Sequence, residues 1–67
     1  MTRAKFEIIN RKLNQFEIAQ QIGMNNGTLS LILNGRLIPT TEQRIAIKEA
    51  LEWPGPIDDL FKEVTVR

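Results

Sequence analysis

Residues 13–36, LNQFEIAQQIGMNNGTLSLILNGR, constrain the fold more than any other part of the 67-residue chain. Asn14 stands where a helix cap is needed, and Glu17 follows three residues on, as in a capping box with Asn in the cap position. Phe16, Ala19 and Ile22 repeat at helical spacing and are expected to face the core. Gly23 marks a helix end, because a left-handed backbone is cheap only for glycine. Asn25 is the next cap. Leu29, Ile32 and Leu33 form the apolar side of a second helix, and Asn34-Gly35 stops it. Over about residues 14–35 this is the pattern of a helix-turn-helix, a unit able to lay its second helix in the DNA major groove. Asn26-Gly27 is also a strong hairpin-turn dipeptide. No alternating strand precedes it, and Phe16 to Ile22 has helical period, so the helical reading is preferred.

The flanks read the same way. Phe6, Ile9 and Leu13 repeat at helical spacing in a first helix that Thr2 can cap and that ends near Lys12. Pro39 marks a loop, and Thr40 with Gln43 makes another capping box. A fourth helix is expected from Thr41 to Glu52, with Ile47, Ala50 and Leu51 inward. Trp53 closes it, and Pro54-Gly55-Pro56 forbids continuation. Ile57 to Glu63 can form a short fifth helix, with Asp58 and Asp59 favourable in its first turn and Leu60 and Phe61 sealing the core. Val64-Thr65-Val66 alternates like a short strand in a tail, residues 63–67. The expectation is one compact all-α domain of five helices, without repeats or linkers.

Composition narrows the function classes. Cys and His are both absent, so disulfides, thiolate metal sites and the commonest general base are excluded. No Gly-rich phosphate loop, nucleophile elbow or metal-ligand spacing occurs. Asp58 and Asp59 are neighbours that diverge on a helix start and serve its dipole better than acid–base work. An enzyme is not expected, nor a cofactor, a metal or a small-molecule ligand. Apolar runs fall far short of the roughly 20 residues that span a membrane. The first ten residues lack the apolar core of a signal peptide, so a cytoplasmic protein with no membrane partner is expected. Net charge is only +1, but it is unevenly placed. Residues 1–36 hold five basic and two acidic groups, and residues 37–67 hold four basic and six acidic. The helix-turn-helix half is therefore the positive one.

The chain resembles the Cro/lambda-type repressor family, also called the XRE-like helix-turn-helix family. The matching residues are Leu13-Asn14-Gln15, Ala19, Ile22-Gly23, Ser30, Ile32, Asn34-Gly35-Arg36, Pro39, Ile47, Ala50-Leu51 and Leu60-Phe61, spanning roughly residues 5–61. The resemblance implies a five-helix domain that binds double-stranded operator DNA, usually as a homodimer. Family members often pair an Arg in the first helix with a Glu just before the Asn-Gly. Ile8 and Leu33 stand at those positions here, so an apolar contact replaces the ion pair, which can be neutral or stabilising. Lys48 replaces a common Ala, and the connection from Leu51 to Leu60 is about two residues longer than usual, counted against the family.

Asn26, Gly27, Ser30 and Leu31 form the outward face of the third helix, whose start is expected to meet base edges. Asn26 can take adenine bidentately, Ser30 can bond several bases, and Leu31 can touch a thymine methyl. Gly27 offers no side chain where family members often read a base. Direct readout is therefore thin, and a larger share is expected from DNA shape and deformability. Gln15, Thr28, Asn34, Arg36 and Arg44 are the candidate phosphate contacts. Gln15 carries that role by the resemblance, with helix-start amides beside it. Thr28 and Asn34 have a competing role as helix caps, and Arg44 as a solvated surface charge. Trp53, Ile57, Val64 and Val66 are the candidate dimer surface, with the tail pairing as a strand across a two-fold axis. The expected function is a small Cro-like phage or prophage repressor. The alternatives are an antitoxin-type autorepressor and a protein-binding adaptor without DNA readout.

Overall fold

Short polar side chains decide where the helices begin. In the computed structural model, which describes residues 1–65, the helices are α1 (Arg3–Asn10), α2 (Gln15–Ile22), α3 (Asn26–Leu33), α4 (Thr41–Leu51) and α5 (Ile57–Leu60). Thr2 Oγ1 accepts from the Lys5 N–H at 3.2 Å, and Asn14 Oδ1 accepts from the Glu17 N–H at 3.2 Å. Asn25 Oδ1 accepts from Gly27 and Thr28 at 2.7 and 3.4 Å. Thr40 and Gln43 complete both bonds of their capping box. Each cap satisfies helix-start donors that have no partner within the helix.

Positive φ angles end the segments. Gly23 and Gly35 adopt 71° and 76° after α2 and α3, where glycine has no Cβ to clash. Lys12 and Glu52 adopt 56° and 51° with a Cβ present. Such a conformation costs an L residue about 1–2 kcal/mol. Glu52 is exposed and caps α4. Glu52→Gly is therefore expected to raise the unfolding free energy by about 0.5–1 kcal/mol, after the extra chain entropy of glycine is subtracted. A urea titration measures it, and an unchanged midpoint would contradict the strain.

The core gathers Ala4 and Ile8 from α1, Ile18 and Ala19 from α2, Leu29, Ile32 and Leu33 from α3, Ile47 and Leu51 from α4, and Leu60 from α5. Ile22, Met24, Ala50, Trp53 and Phe61 pack around it. The inward faces expected for α3 and α4 are found, with Ala50 at the edge.

The expected face of α1 is wrong. Ile9 is 54% exposed and Leu13 41%, while Ala4, Glu7 and Ile8 are buried. At about 100° per residue, Ile9 lies roughly 140° around the helix from Ala4, so the two stripes cannot both face inward. The buried stripe contains a carboxylate. It survives there because Arg3 and Arg11, four residues to either side, reach Glu7 at 3.0 and 2.9 Å. Arg11 also donates to the Leu51 carbonyl at 2.6 Å, tying α1 to the end of α4. In α2 the expected stripe is likewise rotated. Ile18 joins Ala19 inside and turns Phe16 outward to 55% exposure.

The fifth helix stops at Leu60, three residues earlier than expected. The chain beyond it runs beside the amino-terminal residues instead. The Arg3 N–H donates to the Lys62 carbonyl and the Val64 N–H to the Met1 carbonyl, both at 2.8 Å, around an antiparallel bridge of Thr2 with Glu63. Val64, part of the tail expected to pair across a two-fold axis, uses its N–H within its own chain. Val66 lies outside the described residues. Thr2 is buried, and its hydroxyl donates to the Leu33 carbonyl at 2.8 Å, so one residue joins the start of α1 to the end of α3. Among the described residues no helix is long and apolar enough to cross a membrane.

Candidate nucleic-acid interface

The surface of α3 is divided sharply. Leu29, Ile32 and Leu33 are fully buried, while Asn26, Gly27 and Leu31 are exposed and Ser30 is partly so. The four residues expected to face outward from this helix therefore do so. Leu31 keeps 44% of its surface exposed, a large apolar side chain among small polar neighbours.

Gly27 has a local explanation. A Cβ there would stand 3.0 Å from the Asn25 Oδ1 that caps the helix. The bare backbone leaves room for that oxygen to serve two N–H groups. Thr28 is half-buried, and its N–H is one of the two. Asn34 folds its amide back onto its own helix, donating to the Ser30 carbonyl at 2.9 Å and approaching Ser30 Oγ at 3.4 Å. Of the two roles open to Asn34, the structure displays the helix-ending one.

Gln15, the first residue of α2, holds the two helix starts together. Its Nε2 donates to Asn26 Oδ1 at 3.2 Å, and its Oε1 accepts from Lys5 Nζ at 2.8 Å. Lys5 belongs to this cluster although sequence reasoning missed it. No local spacing could have signalled it, because Lys5 and Gln15 lie ten residues apart and on different helices.

The charges sort into used and open. Arg3 and Arg11 are paired with Glu7, and Lys62 with Asp59 at 2.9 Å. The Asp59 hydrogen bond and charge hold the Lys62 ammonium above its ordinary pKa. Lys48 Nζ donates to the Trp53 carbonyl at 2.6 Å. Arg44 pairs with Asp58 and lies 5.4 Å over the Phe61 ring, so it binds α4 to α5. Among the described residues Lys5, Lys12 and Arg36 make no ion pair. The basic groups of the amino-terminal half that keep an uncompensated charge are thus Lys5 on α1, Lys12 in the turn before α2, and Arg36 just beyond α3.

The candidate dimer residues are less clearly set apart. Trp53, Ile57 and Val64 are each half-buried. The Trp53 indole N–H donates to the Pro56 carbonyl at 3.0 Å, and the Arg3 guanidinium lies 5.4 Å from its ring. Trp53 therefore already has partners within the chain. No protein-family model, curated protein or solved structure matches this chain.

Proposed function

We propose that the chain is a sequence-specific DNA-binding transcriptional regulator, a small Cro-like repressor that binds a palindromic operator as a homodimer. In this reading α2 and α3 form the helix-turn-helix, α3 enters the major groove, and Gln15 and Arg36 flank it on the phosphate backbone. The observation that carries it is the division of α3. One face is fully buried, and the other offers Asn26, Gly27, Ser30 and Leu31, followed just beyond the helix by Arg36, which makes no ion pair among the described residues. Small polar side chains at a helix start can approach base edges closely, and backbone cations supply affinity.

A protein-binding adaptor is the second reading. It is favoured by Leu31 and by Ile38, which is 92% exposed in the loop after α3. Selection from random duplex DNA with the full chain separates the two. A regulator enriches a palindrome with half-sites about 34–36 Å apart, one helical turn. An adaptor enriches nothing.

A further inference from the structure

Lys5, Gln15 and Asn26 form a hydrogen-bond chain whose direction is fixed by its first member. An ammonium only donates; it has no acceptor. Lys5 Nζ therefore requires the Gln15 oxygen to face it, at 2.8 Å. That leaves the Gln15 amide nitrogen toward α3, where it donates to Asn26 Oδ1 at 3.2 Å. The Asn26 oxygen is thus held on the side of α2, and its Nδ2 with two N–H groups has no partner among the described residues. The assignment follows from the chemistry of lysine and needs no observed hydrogen atoms.

We propose that Lys5 is a positioning residue for base recognition. Through Gln15 it fixes the polarity of the Asn26 amide, so that α3 offers N–H donors outward and selects a base with an exposed acceptor, rejecting cytosine. Purines present N7 as an acceptor in the major groove, guanine adds O6, and thymine presents O4. The polar group of cytosine there is the N4 amino donor, which would meet Nδ2 donor against donor. The inference rests on the DNA-binding reading above and adds to it a route of control from α1, a helix outside the helix-turn-helix.

Reversing the first member should reverse the chain. A carboxylate at position 5 only accepts, so it would draw the Gln15 nitrogen toward itself. The Gln15 oxygen would then accept a hydrogen bond from Asn26 Nδ2, and the Asn26 oxygen would turn outward. A cytosine amino group would become a fitting partner.

The test is duplex selection with the full-length wild type, Asn26→Ala, Lys5→Glu and Lys5→Met, each confirmed as folded by circular dichroism. The position where Asn26→Ala loses its preference is the one Asn26 reads. Wild type is expected to accept adenine, guanine or thymine there and to deplete cytosine by roughly 5- to 150-fold, the discrimination of one good base contact. Lys5→Glu should abolish or invert that depletion, and Lys5→Met should flatten it without adding a negative charge. Preferences are compared within each variant, so a general loss of affinity cancels. If both Lys5 variants keep the wild-type preference and lose affinity uniformly, Lys5 is only a phosphate cation and the proposal is overturned. Cytosine enriched by wild type, or no position altered by Asn26→Ala, overturns it too and leaves the DNA-binding reading standing. Enrichment of no duplex by wild type overturns both.

Discussion

Leu33→Glu is expected to leave the chain largely unfolded at room temperature, Ile8→Arg to do nearly the same, and the two together to restore a folded protein. Leu33 is 0% exposed and Ile8 3%, and both belong to the one core. A charge buried there without a partner costs about 3–5 kcal/mol. A chain of this length has a total stability of only about 3–10 kcal/mol. Either single change can therefore consume most of the margin. The double variant puts opposite charges into the one core, at the positions where the resembled family often carries an ion pair. Thermal melts followed by circular dichroism give the coupling as the departure from additivity. A double variant as unfolded as the singles would mean that Ile8 and Leu33 do not face each other as that ion pair does.

The second large effect concerns salt. For a dimer with ~3–5 phosphate contacts per protomer, affinity for the selected operator should fall roughly 10³–10⁵-fold between about 50 and 200 mM salt. Net charge is only +1, yet Lys5, Lys12 and Arg36, on the half that would face DNA, make no ion pair among the described residues. Arg36→Ala removes one such cation per protomer. It should weaken binding to all duplexes alike and reduce the log–log salt slope by about 2 for a dimer. Fluorescence anisotropy across a salt series measures both quantities. An unchanged slope would remove Arg36 from the phosphate backbone. Arg44→Ala carries a different expectation, since its partners Asp58 and Phe61 make it a link between α4 and α5.

Helix boundaries were largely legible because they are set by neighbours in sequence. Asn14, Asn25 and Thr40 cap helices at the positions their chemistry suggests, and Gly23 and Gly35 take the positive φ angles that ended α2 and α3. The inward face of α3 was legible because its apolar residues offered one stripe. The faces of α1 and α2 were not. Each helix carries two candidate stripes, and tertiary contacts chose between them. In α1 the winning stripe includes Glu7, which periodicity alone sends to the surface. The two arginines at four-residue spacing were the available clue that a carboxylate could be buried there.

The candidate interface divides along the same line. The outward residues of α3 follow from its single buried stripe. Lys5, by contrast, reaches Gln15 only once α1 and α2 are placed side by side. The end of α5 was misread for a similar reason. Residues 62–64 bond to the amino-terminal segment, and nothing local announces such a partner.

Thr2 makes the two ends of this arrangement thermodynamically inseparable. Its backbone N–H and its hydroxyl both donate to the Leu33 carbonyl, at 3.2 and 2.8 Å, while the same hydroxyl accepts the first turn of α1. The last turn of α3 therefore cannot fray on its own, as helix ends usually do. Opening it requires release of the amino-terminal residues, and with them the contacts to Lys62 and Glu63. The helix proposed to meet DNA is thus anchored at its far end, and a partner that bound it would not bear the entropic cost of ordering it.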